Sequence, residues 1–159
     1  MSNCCCNNIS AVHPDSITGS RVTLMLVFGN NVQSIPSDTS TPADTTDSTA
    51  LVNIGGIEYN IAGNFTIPKA GLYLISAFLT FSSSNPTGDR EVAIISSNLG
   101  SLATETVEAA ASYATRLTVT TFANLVAGDV ITFYMKQNTG FNLNTKGPTH
   151  NRLSFTKLL

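Results

Sequence analysis

Charge is the scarcest property of this chain. Only 11% of its residues are Asp, Glu, Lys or Arg, and they leave a net charge of -2. That excludes the basic field a nucleic acid needs and the polybasic patch a membrane surface needs. No apolar run approaches the ~18 residues of a membrane span, so no membrane insertion is expected either. Tryptophan is absent, and the only cysteines are three in a row, Cys4, Cys5 and Cys6. Neighbouring cysteines rarely reach disulfide geometry with each other, so a stapled small-domain framework is excluded. Residues 1–8 lack a basic stretch followed by an apolar one, so no secretory signal peptide is read and synthesis in a cytoplasm is expected.

The usual signatures of chemistry are also missing. No Gly-x-Ser-x-Gly elbow, Walker loop or dinucleotide fingerprint occurs. His13 and His150 stand near the two ends without a metal-ligand spacing, and both read as surface histidines. Asp89 and Glu91 flank Arg90 and read as a solvated strand end. Asp129 follows Gly128 in a turn, which gives its carboxylate a structural task. Neither an enzyme nor a cofactor is expected.

What the chain does have is Ser, Thr and Asn interleaved with apolar residues at period two, the pattern of β-structure. Residues 65–81 are the organising stretch. After Pro68 and Gly71, the residues Tyr73, Ile75, Ala77, Leu79 and Phe81 share one face, while Leu72, Leu74, Ser76, Phe78 and Thr80 share the other. Both faces are apolar enough to want cover. Residues 21–29 alternate with two apolar faces in the same way, and residues 34–49 read as a long surface loop with almost nothing to bury. Residues 50–61, centred on Gly55-Gly56, read as a short hairpin. Strands are further expected over 90–97, 102–111 (where a helix capped by Thr104 is the competing reading), 116–122, 125–135 (after a turn at 127–129) and 152–159. In the last two, Ile131, Phe133 and Met135 share one face, and Leu153, Phe155 and Leu159 point inward. The length suits one domain, and the expected fold is an all-β jelly-roll sandwich over residues 21–159 with an extended N-terminal arm over residues 1–20.

Two motifs carry a family resemblance. Phe65-Thr66-Ile67-Pro68 followed by Gly71-Leu72-Tyr73, Leu79 and Phe81 resembles the central strand signature of the complement globular-head and tumour-necrosis-factor-like superfamily. Leu125 through Gly128-Asp129 to Ile131 and Phe133 resembles a second signature of the same superfamily, in matching order and spacing. The ending LSFTKLL is more similar to the C-terminal domains of collagen-like exosporium glycoproteins of bacterial spores, although no Gly-X-Y tract precedes it. The resemblance implies a jelly roll of about ten antiparallel strands that assembles into a homotrimer. Some members bind calcium, but nothing in this sequence locates the ligands.

The function expected is that of a non-enzymatic structural subunit, self-assembling as trimers into a filament or coat on a spore surface. A virion fibre or capsid-decoration protein, or a receptor- or ligand-binding head, is the alternative. The partner is the chain itself, with trimer-to-trimer assembly and an anchoring or tip protein as further expectations. Trimerisation is argued from Leu72, Leu74, Phe78 and part of residues 22–28, which lack a partner once Tyr73, Ile75, Leu79, Phe81, Ile131, Phe133 and Met135 fill the core. Cys4, Cys5 and Cys6 are expected to link chains covalently. A thiolate cluster, acylation and a tail of free thiols are the competing readings. Gly71 and Gly128 are expected to sit where a turn feeds a strand, with positive φ or a close backbone leaving no place for a Cβ.

Overall fold

The structure is a computed structural model of the chain, and it describes residues 21–28, 32–82, 87–109, 113–147 and 151–159. The expected arm with Cys4, Cys5 and Cys6, together with His13 and His150, lies outside the described residues. Thirteen strands and no helix are found among the described residues. They are β1 (Thr23–Val27), β2 (Ser34–Ile35), β3 (Thr41–Pro42), β4 (Thr49–Ile54), β5 (Glu58–Tyr59), β6 (Asn64–Thr66), β7 (Gly71–Phe81), β8 (Asp89–Ser96), β9 (Gly100–Glu108), β10 (Thr115–Leu125), β11 (Val130–Gln137), β12 (Leu143–Asn144) and β13 (Arg152–Lys157). One sheet runs β10-β7-β13-β1-β4 and a second runs β5-β6-β11-β8-β9, with every pair antiparallel. The two sheets enclose one core, an all-β jelly-roll sandwich.

Alternation decides what enters that core. On β7 the buried set is Tyr73, Ile75, Ala77, Leu79 and Phe81, and opposite it Ile131, Phe133 and Met135 are buried from β11. Rings fill the centre. Phe65 lies 5.5 Å from Phe133 and 5.2 Å from Phe155, and Phe133 lies 5.6 Å from Phe155. Such offset and edge-on pairs add to the burial of the rings themselves. The phenol of Tyr73 donates to the Lys69 carbonyl at 2.7 Å, so its polar tip is satisfied inside. Burial pushes the Tyr73 pKa up, and the backbone hydrogen bond pulls it partly back.

Several expectations are corrected. The hairpin over 50–61 does not form, because β4 pairs with β1 in one sheet and β5 pairs with β6 in the other. Gly55 and Gly56, at φ of +86° and +76°, carry the chain across the corner between the sheets. A Cβ on Gly55 would press on the Arg21 carbonyl oxygen at 2.6 Å, so the corner is too tight for a side chain. Residues 34–49 are not a bare loop. They contribute β2, paired with β12, and β3, paired with β11, and they bury Ile35 and Ala43 completely. Their backbone is satisfied by long amides: Gln33 bonds the Pro42 carbonyl at 2.6 Å and the Asp44 N–H at 2.9 Å, and Gln137 donates to the Ile35 carbonyl at 2.9 Å. Arg90 is not solvated. It points inward with Val92 and Ile94, fully buried, and its Nη1 donates to the carbonyls of Thr87 and Asp89, each at 3.1 Å. Burial pulls the Arg90 pKa down while the Asp89 charge pushes it up, and a guanidinium stays charged through both. Leu159, read as inward, is 79% exposed.

Candidate functional site

The outward face of β7 is where the sandwich leaves apolar surface. Leu72, Leu74, Ser76 and Phe78 are half-buried there, shielded only by their neighbours in the same sheet. Register places the neighbours. Leu74 lies level with Phe122 on β10 and Thr156 on β13, and Thr156 in turn with Thr23 on β1 and Ile54 on β4. The next row runs from Thr120 through Ser76 and Ser154 to Met25 and Val52. The Ser76 and Thr120 hydroxyls bond each other at 2.9 Å, so this row places little demand on water. A third row sets Phe78 between Thr118 and Arg152.

Phe122 is 63% exposed and Ile54 43%, with Met25 and Val52 close behind. Together they make a discontinuous apolar stripe, Leu72, Leu74, Phe78 and Phe122 on β7 and β10 and Met25, Val52 and Ile54 on β1 and β4, interrupted on β13 by Thr156, Ser154 and Arg152; exposed apolar surface of this extent marks an interaction face. Residues 34–49 pair β3 with β11, the middle strand of the opposite sheet, so β3 does not cover it. Of the first strand, Val22, Leu24 and Leu26 belong to the core and Met25 faces outward, so the strand's two apolar faces are divided between core and surface. Phe122, Val52 and Ile54 escaped the sequence reading. The signal for Phe122 was present in the alternation of Arg116, Thr118, Thr120 and Phe122.

The other outer face is different in kind. There Glu91 lies level with Lys136 and Thr106, Ala93 with Tyr134 and Thr104, and Ile95 with Thr132. Charge divides along the same line. The strands β1, β4, β7, β10 and β13 contain no Asp or Glu and carry Arg116, Arg152 and Lys157, whereas the opposite sheet carries Glu58, Asp89, Glu91, Glu105 and Glu108. No cluster of three or more His, Cys, Asp or Glu with the geometry to hold a metal is found among the described residues.

The two signature motifs meet in space. Phe65 of β6 stands opposite Ile131 of β11, and the turn before β11 is tied to the segment after β6: Gly128 N–H donates to the Ile67 carbonyl at 2.8 Å and Ile67 N–H to the Asp129 carbonyl at 2.9 Å. The Asp129 carboxylate is buried, accepting from the Val126 N–H at 2.9 Å and from the Asn98 amide. No family model matches the chain. An uncharacterized protein of Acanthamoeba polyphaga mimivirus is 34% identical over 131 residues, covering 79% of this chain and 54% of that protein. The chain thus spans about half the length of the curated relative it matches. Among solved structures, Eiger TNF from S. frugiperda superposes with a TM-score of 0.68 at 12% identity, over 87% of this chain and 93% of that one.

The fold is the tumour-necrosis-factor-like jelly roll.

The same TNF-like jelly roll is found in PRD1 vertex protein P5, with a TM-score of 0.62 at 15% identity over 87% of this chain and 97% of that one. It is found again in the globular domain of zebrafish complement 1qA, with a TM-score of 0.60 at 15% identity over 87% and 96%. At such identities the likeness is one of fold, and function has to be argued from the surface.

The two glycines of the signatures differ physically. Gly71 has φ of +154°, and a Cβ there would run into the Leu159 carbonyl oxygen and the Lys157 side chain. At Gly128, φ is +90°, but a Cβ would meet no described atom within 4 Å. Gly71→Ala is therefore expected to cost about 2–4 kcal/mol and Gly128→Ala about 1–2 kcal/mol, measured by urea unfolding. Equal losses at the two sites would show that backbone conformation alone, and not crowding, sets both costs.

Proposed function

We propose that this chain is a non-enzymatic structural head that self-associates in threes through the outer face of the β10-β7-β13-β1-β4 sheet and is displayed on a particle surface. The observation that carries the reading is the apolar stripe of Leu72, Leu74, Phe78, Phe122, Met25, Val52 and Ile54 on a sheet without a single acid. Fully burying one such side chain contributes roughly 1.5–3 kcal/mol, and the stripe holds enough of them to exceed an association cost of about 4–15 kcal/mol. The opposite face, with Glu91, Lys136 and its threonines, has no comparable reason to leave water.

A virion surface is the better-supported setting. The mimivirus relative and the likeness to a vertex protein favour it over the spore filament that the sequence put first. In this reading Cys4, Cys5 and Cys6 supply thiols for links between chains or between trimers. Light scattering of the purified full chain at micromolar concentration is expected to give the mass of three chains, and electron microscopy to show isolated three-lobed particles. A one-chain mass would overturn the assembly, long fibres would favour a polymerising subunit, and immunogold label on spore coats in place of virions would overturn the setting.

A further inference from the structure

The outer face of the β10-β7-β13-β1-β4 sheet is not uniformly apolar. At one end it holds a depression of about 460 Å³ whose lining includes Phe78, Met25, Ser76, Ser154, Arg116 and Arg152. The two arginines reach this space from opposite sides of β7: Arg152 of β13 is level with Phe78, and Arg116 of β10 is level with Thr80. They lie two strand spacings apart across the sheet, roughly 10 Å, and two residues apart along it, roughly 7 Å, a gap that two long guanidinium side chains can close around one small ligand lying over the Phe78 ring.

Among the described residues, no acid of this sheet neutralises them. None of the five strands carries an acid, and among the described residues neither guanidinium makes a hydrogen bond or an ion pair. The Ser154 hydroxyl, half-buried in the same lining, is likewise without a hydrogen bond there. A planar fork of N–H donors beside an aromatic ring matches the oxygen geometry of phosphate, and arginine holds such groups in pairs of parallel hydrogen bonds.

We propose that this pocket binds a free inorganic oxyanion of the phosphate class, gripped by Arg116 and Arg152 with Ser154 as a further donor. The inference rests on the self-association reading in one respect. If three copies meet through this face, each brings its arginine pair into a space of lowered dielectric, and an anion there offsets their mutual repulsion. Phosphate then acts as a ligand of the assembled state and stabilises it by mass action.

The test uses the full chain and inorganic phosphate as the probe. Calorimetric titration and thermal unfolding are run in phosphate and in sodium chloride of matched ionic strength, with light scattering on the same samples. Phosphate is expected to bind and to raise the melting temperature above the chloride value. Arg116→Gln and Arg152→Gln are each expected to weaken binding about tenfold, the loss of one charged hydrogen-bond pair. The double variant is expected to show neither heat nor stabilisation. Both positions are exposed, so these variants keep the fold. Lys136→Gln, on the opposite sheet, is expected to respond like the unaltered chain. Equal phosphate responses in the unaltered chain and the double variant would overturn the site, as would absence of binding in the unaltered chain. A three-chain mass without phosphate binding overturns the pocket and leaves the assembly standing. A one-chain mass with arginine-dependent binding upholds the pocket and overturns the assembly.

Discussion

Leu74→Asp is expected to split the proposed three-chain assembly into single folded chains. Leu74 sits near the middle of the outer stripe, level with Phe122 on one side and Thr156 on the other, and no basic side chain shares its row. A carboxylate there has no ion-pair partner in its row, since Arg152 and Arg116 lie level with Phe78 and Thr80, four and six residues along β7, so assembly would bury a poorly compensated charge in every copy. The loss per copy is about 1.5–3 kcal/mol of apolar burial, and several kcal/mol more for the desolvated charge. Counted over three copies, dissociation shifts by many orders of magnitude. The chain itself tolerates the change, because Leu74 faces away from the core that Tyr73 and Ile75 fill. Analytical ultracentrifugation at micromolar concentration reads the outcome: one-chain mass with a cooperative melt for Leu74→Asp, and a smaller shift for Leu74→Ala. A three-chain mass unchanged in the aspartate variant would remove this face from the interface.

The second large effect is in the centre of the sandwich. Phe65→Ala is expected to cost about 3–5 kcal/mol, the range for removing a buried aromatic from a packed core. Phe65 is fully buried, and its ring meets Tyr59 at 5.7 Å as well as Phe133 and Phe155. The loss is a large part of an ordinary domain's total of roughly 5–15 kcal/mol. A double-mutant cycle with Phe133→Ala should return a coupling of about 0.5–1.5 kcal/mol for the edge-on pair. The measurement is urea unfolding of a variant already carrying Leu74→Asp, so that folding is not entangled with assembly. A loss below about 1.5 kcal/mol would mean that β6 is held by its backbone pairing and not by the ring.

The strands that could be read directly were those with long alternation. Residues 71–81, 115–125 and 130–137 each present two distinct faces over eight or more residues, and that period is imposed by the extended backbone whatever it packs against. The turn chemistry of Gly71, Gly128 and Asp129 was legible for a similar reason, since it is set by a few adjacent residues. The two-residue strands β2, β3, β5 and β12 were not legible, because a period cannot be seen in two positions. Arg90 misled because its charged neighbours Asp89 and Glu91 suggested a solvated segment, whereas its place in the alternation with Val92 and Ile94 turns it inward.

By itself the sequence determined that this is an all-β chain, that residues 71–81 carry two apolar faces, and which side chains lie on each. Only the tertiary structure decided which face becomes core and which becomes surface. Gly55-Gly56 is the clearest case: the same two residues serve a hairpin or a change of sheet, and the choice depends on β1 offering β4 a partner edge in the first sheet. The same holds for the outer stripe and its arginines. Alternation places Leu74, Phe122, Arg116 and Arg152 on outward faces, but their strands are distant in sequence, and only the order β10-β7-β13 brings them side by side. Neighbourhood within a sheet is a property of non-local pairing, which no local period encodes.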